Sequence, residues 1–99
     1  MYFLSNQGSE MSNPEPKIGD SVIYIAHGSA DGKYPKAAHR AAIVTEAPKK
    51  DALENPANGP VVSLCVMNPT GLFFLQDVPY DPRGEQGGTW LTREIAEKL

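Results

Sequence analysis

Ninety-nine residues, a net charge of −3 from 12 acidic and 9 basic side chains, and a 40% hydrophobic content bound this chain to one modest globular domain. The nine Lys and Arg residues are scattered rather than clustered, which argues against a nucleic-acid backbone as partner. One cysteine, Cys65, excludes an intramolecular disulfide and a cysteine-built zinc site, and no apolar run approaches the roughly 18 residues of a membrane-spanning helix.

Residues 1–17 read as a flexible arm. Ser5 to Pro16 is rich in Ser, Asn, Gly, Glu and Pro and buries too little apolar surface to order by itself. Its tip, Tyr2-Phe3-Leu4, lacks the basic flank and long apolar core of a signal peptide. The tip either frays or docks on a neighbouring subunit.

Residues 18–91 read as a small β domain. After the Gly19-Asp20 turn, Ser21 to Ala26 is β-branched and aromatic and forms the first expected strand. A long polar loop runs from His27 to His39, and Arg40 to Glu46 is the second strand. Lys49 to Pro60 is a second loop, in which Asp51 to Glu54 has room for one helical turn.

Val61 to Met67 is the strongest strand in the chain, and Leu72 to Leu75 is its return partner. Between them, Asn68-Pro69-Thr70-Gly71 places Pro and Gly where a type I turn wants them. Val78 to Pro82 leaves the sheet through proline-fixed turns, and Gly84 to Gly88 reads as a flexible loop. Thr89-Trp90-Leu91 is a short closing strand. Residues 92–99 form a final helix capped by Thr92, with Leu91, Ile95 and Leu99 on one stripe.

The sum is a mainly β fold: an SH3-like half-open barrel of four or five antiparallel strands, with an N-terminal arm and a short C-terminal helix. A split sandwich is the alternative.

Catalytic and metal chemistry find little support. His27 and His39 stand twelve residues apart with no cysteine pair, which matches no familiar metal-ligand spacing. Cys65 lies inside an apolar run, where a thiolate is disfavoured. Ser21 and Ser29 lack a nucleophile-elbow pattern, and nothing brings Asp77 and Asp81 face to face. The glycine-rich Gly84 to Gly88 carries neither a phosphate-binding lysine nor a dinucleotide pattern. The expectation is a non-enzymatic protein with no cofactor and no metal.

The aromatic and aliphatic surface is more informative. Phe73 and Phe74 are adjacent in a strand, so they point to opposite faces. Val62, Leu64 and Val66 occupy one face of the preceding strand, and Cys65 and Met67 the other. One small barrel interior cannot use both faces. The second is covered by the chain's own loops and helix, or by another molecule. Tyr80 and Trp90, near turn residues, are candidate anchors of such a surface.

Several segments together carry a resemblance: Gly19-Asp20-x-Val22-x-Tyr24, His27-Gly28, Arg40 to Glu46, Asn68 to Phe74, Tyr80-Asp81 and Gly88-Thr89-Trp90. In these, the run from Gly19 to Trp90 resembles a family of small uncharacterised proteins of actinobacterial phages and prophages. That family usually continues past the tryptophan with His-Trp-Pro-Glu, whereas Leu91-Thr92-Arg93-Glu94 stands here. The resemblance implies a phage setting and no specific activity.

Two readings follow. In the first, the protein is a structural accessory of the virion, assembled in the host cytoplasm: a capsid decoration, head–tail or tail component. It would contact other phage subunits or copies of itself through Tyr2, Phe3, Leu4, Met67, Phe73, Phe74, Tyr80 and Trp90. In the second, it is a host-directed binder in the host cytoplasm that sequesters a small anionic ligand or inhibits a host defence protein. Its contacts would be His27, Arg40, Tyr80 and Trp90, between the His27–His39 and Lys49–Pro60 loops.

Overall fold

The computed structural model describes residues 14–32, 35–47 and 59–99. The apolar arm tip at Tyr2 to Leu4 and the helical turn expected at Asp51 to Glu54 lie outside the described residues.

Among the described residues, five strands form a single antiparallel sheet: β1 (Ser21–Ile25), β2 (His39–Glu46), β3 (Val62–Asn68), β4 (Gly71–Val78) and β5 (Thr89–Thr92). A short helix, α1 (Arg93–Lys98), follows β5 directly. The strand order is β4-β3-β2-β1-β5, so β1 to β4 run as a meander and β5 returns to the free side of β1. This is the half-open, mainly β architecture expected from the sequence, and the sheet does not close into a true barrel. One parallel bridge, Tyr80 to Trp90, ties the segment after β4 to the outer edge of β5. Its backbone bonds run from Trp90 N–H to the Pro79 carbonyl and from Asp81 N–H to the Trp90 carbonyl, each 2.9 Å.

Period-two alternation explains the interior. Val22 and Tyr24 of β1, Ala42 and Val44 of β2, and Val62, Leu64 and Val66 of β3 share the concave face and are buried. Val78, Tyr80 and Trp90 complete this cluster. Trp90 is fully buried, and its Nε1–H donates to the Pro60 carbonyl at 3.0 Å. The Tyr80 and Trp90 rings lie 4.9 Å apart at a 49° tilt, a geometry that suits the aromatic quadrupoles.

β4 is longer than the expected Leu72 to Leu75. Its register with β3 slips between Val62 and Leu64, where Leu75 to Val78 opposes a shorter stretch of β3. Asp77 absorbs the extra length at φ 56°, in the left-handed region that aspartate tolerates. The bulge returns Val78 to the interior. The hairpin turn is the expected one, with Pro69 and Thr70 at its tip and Asn68 paired to Gly71.

α1 is too short to stand alone and is held at both ends. Thr92 Oγ1 accepts from Ile95 N–H at 3.2 Å, and Glu94 in the first turn and Lys98 in the last turn oppose the helix dipole. Ile95 and Ala96 pack against the core, over the convex side of β1 and β5, where Ile25 and Leu91 are fully buried. The helix therefore covers one half of the second face of the sheet.

Candidate functional site

The other half of that face is bare. Register places Ile43, Cys65 and Phe74 in one row across β2, β3 and β4, and Ala41, Met67 and Leu72 in the next. Phe74 is 74% exposed, Leu72 60% and Met67 40%, while Ile43 and Cys65 are half-buried beneath them. Among the described residues, no strand lies beyond β4 in the sheet. From Gly71 to Leu75 this edge carries no charge and no proline, the features that usually blunt an exposed edge. The first charge along it is Asp77, at the bulge.

A second feature lies at the mouth of the half-barrel. Arg40 has the same parity along β2 as Ala42 and Val44, so it stands on the concave face, opposite Tyr24 of β1. Phe73, opposite Val66, shares this face from the β4 side. The segment from Ala26 to Ser29 forms one lip, and the Asn68-Pro69-Thr70 turn forms the other. Together they enclose a cavity of about 350 Å³. Among the described residues, no carboxylate lines it.

Arg40 is the chemically unusual member of this wall. Its Nε is buried with no hydrogen-bond partner among the described residues. An unsatisfied buried donor costs about 1–3 kcal/mol, and more when it belongs to a charged group. Native folds carry few such groups, and each calls for an explanation.

His27 reaches the same cavity from a built seat. Its ring and backbone lie against Gly87 and Gly88. A Cβ added at Gly87 would stand 2.8 Å from His27 Cα, and one added at Gly88 would overlap the imidazole. Gly88 N–H donates to the Ile25 carbonyl at 2.7 Å, which pins the two segments together. The loop before this seat is not the slack segment expected from its glycines. Asp81 accepts from the backbone N–H groups of Arg83, Glu85 and Gln86 at 3.0, 3.2 and 3.0 Å. Burial alone would raise the Asp81 pKa, but those bonds and the Arg83 charge outweigh it and hold the carboxyl below its ordinary range.

The residues singled out from the sequence separate into three groups. Met67 and Phe74 lie on the bare convex face. Phe73 does not join them, because its neighbour's parity turns it to the cavity side; it is 46% exposed there. His27 and Arg40 meet at the mouth. Tyr80 and Trp90, expected as surface anchors, are instead buried, because the bridge between them folds the post-β4 segment over the open side of the sheet. They belong to neither surface. The Tyr80 hydroxyl pKa is pushed up by burial and by the negative charge of Asp81. The mouth also recruits Tyr24 and the Asn68–Thr70 turn, which sequence reasoning did not single out. One signal was available: a cation at Arg40 in phase with Ala42 and Val44 on an otherwise apolar face.

His39 pairs with Ile25 and stands away from His27 on the convex side. Among the described residues, no cluster of three or more His, Cys, Asp or Glu side chains is positioned to hold a metal. Also among them, no helix is long and apolar enough to cross a membrane. No family model, no curated protein and no solved structure matches this chain.

Proposed function

We propose that this protein is a non-enzymatic structural accessory of a phage particle, acting through protein–protein contacts on the convex face of β2, β3 and β4. The observation that carries this reading is the continuous apolar surface of Met67, Leu72 and Phe74, beside the edge of β4, which is unpaired among the described residues. A solvent-exposed apolar face of this kind marks an interaction site rather than a resting surface. An uncharged sheet edge next to it offers backbone donors and acceptors in the same plane. The partner is another phage subunit or a second copy of this chain. The phage setting comes from the resemblance of the Gly19 to Trp90 run to small phage proteins.

Mass spectrometry of purified virions tests it. The protein is expected there in many copies per particle, and Phe74→Glu is expected to deplete it while leaving the free protein folded. Its absence from washed virions would overturn the proposal.

A further inference from the structure

We propose that the mouth cavity is a binding site for a small oxyanion carried on a planar ring, with Arg40 meeting the anion and Tyr24 and Phe73 walling the ring. This stands apart from the convex docking face, since Phe73 and Phe74 point to opposite sides of β4. It holds whether or not that face docks a protein.

Three observations carry it. The first is charge. The chain carries a net charge of −3, yet the described residues of the cavity wall include Arg40 and His27 and no Asp or Glu. The nearby Asp31 carboxylate is engaged by Ser29 Oγ at 2.7 Å. The second is Arg40 itself, a half-buried cation on the wall whose enclosed Nε has no hydrogen-bond partner among the described residues. A guanidinium presents its donors in a planar fork that matches an oxyanion, and such charge-assisted pairs are the stronger class of hydrogen bond. The third is shape. About 350 Å³ lies at the lower end of the range for small-molecule sites, and barrel mouths are a common place for them. Phe73 is 46% exposed and lines this mouth together with Tyr24. An aromatic ligand body would cover it.

The site is also pre-organised. Gly28 sits at φ 85° and approaches Lys36 so closely that an added Cβ would lie 3.0 Å from its backbone nitrogen. Gly87 and Gly88 fix His27 from below. A rigid lip lowers the ordering cost of binding.

The test is a titration of the full-length ¹⁵N-labelled protein, followed by amide chemical shifts, with phenyl phosphate, benzoate, inorganic phosphate and benzyl alcohol as probes. Phenyl phosphate and benzoate are expected to shift the amides of Ala26, His27, Gly28 and Ser29, and Arg40→Gln is expected to weaken both by roughly tenfold or more. Arg40→Lys, which keeps the charge and loses the fork, should fall between. The proposal is overturned if neither anion shifts these amides. Benzyl alcohol or inorganic phosphate binding as tightly as phenyl phosphate would overturn it too, as would Arg40→Gln binding within twofold of the parent. Should Arg40→Gln fail to fold, Phe73→Ala decides: a severalfold loss of phenyl phosphate affinity supports the site, and unchanged affinity overturns it.

Discussion

Trp90 Nε1 donates 3.0 Å to the carbonyl of Pro60, thirty positions earlier in the chain, in a fully buried setting. This bond joins β5 to the entry of β3, two elements that are not neighbours in the sheet. Trp90→Phe keeps a ring against Tyr80 but leaves the Pro60 carbonyl without its donor. The expected cost is about 1–3 kcal/mol from the orphaned acceptor, plus part of the lost ring volume. Urea unfolding followed by circular dichroism should show a lower midpoint with an unchanged slope. An unchanged midpoint would mean that Pro60 finds another donor.

Gly88 combines a φ of 82° with the His27 imidazole in the space that a Cβ would occupy. Gly88→Ala therefore meets both backbone strain and a steric overlap, and is expected to cost about 1–3 kcal/mol. The two contributions separate in a double-mutant cycle with His27→Ala. Removing the ring should restore part of the loss, leaving the backbone part. Strict additivity would show that the ring moves aside without cost.

Phe74→Glu probes the convex face without touching the core, because Phe74 is largely exposed and Val66 and Leu64 lie on the other side of the sheet. The thermal midpoint should shift by no more than a surface substitution usually produces, within about 0.5 kcal/mol. Fluorescence of a hydrophobic dye bound to the folded protein should fall clearly. Equal dye binding by parent and variant would locate the accessible apolar surface elsewhere.

Acid stability should depend on Asp81. Its folded pKa lies below its ordinary value, because three backbone N–H bonds and Arg83 outweigh the opposing effect of burial. A depressed carboxylate contributes stability that is present above its unfolded pKa of about 3.9 and is lost as pH falls through the folded value. Asp81→Asn should lower the thermal midpoint at pH 7, and the gap between variant and parent should narrow below about pH 4. A gap independent of pH would assign the effect to geometry rather than charge.

At the alkaline end the sign reverses. Tyr80 has a raised pKa from burial and from Asp81, so its contribution is full below about pH 10 and is lost as pH rises through the folded value. Tyr80→Phe, which retains the ring against Trp90, should flatten that alkaline limb in thermal melts taken between pH 9 and 11, roughly one unit either side of a free tyrosine. An equally steep limb in the variant would assign the loss to another group.

The local order of this protein was legible in its residues. Val62 to Met67 is a largely β-branched and apolar run, Pro69 and Gly71 bracket a tight turn, and Thr92 caps a short amphipathic helix. Each signal acts over a few residues, through backbone sterics and period-two geometry. Even the two-faced character of the hairpin follows from Phe73 and Phe74 being adjacent. The bulge at Asp77 was less legible, because a slipped register depends on the partner strand as much as on the slipped one.

What the sequence by itself determined, then, is which segments are strands and which side chains share a face. What only the tertiary structure decided is what each face meets. β5 pairs with β1 rather than β4, so α1 covers Ile25 and Leu91 and leaves Leu72 and Phe74 bare. The Tyr80–Trp90 bridge turns two expected surface anchors into core. Arg40, His27 and Phe73 meet at one mouth only because the sheet curls around its own interior. The reason is physical: face assignment is set by backbone geometry within a strand, whereas coverage is set by pairings between segments far apart in the chain, whose relative energies no local pattern encodes.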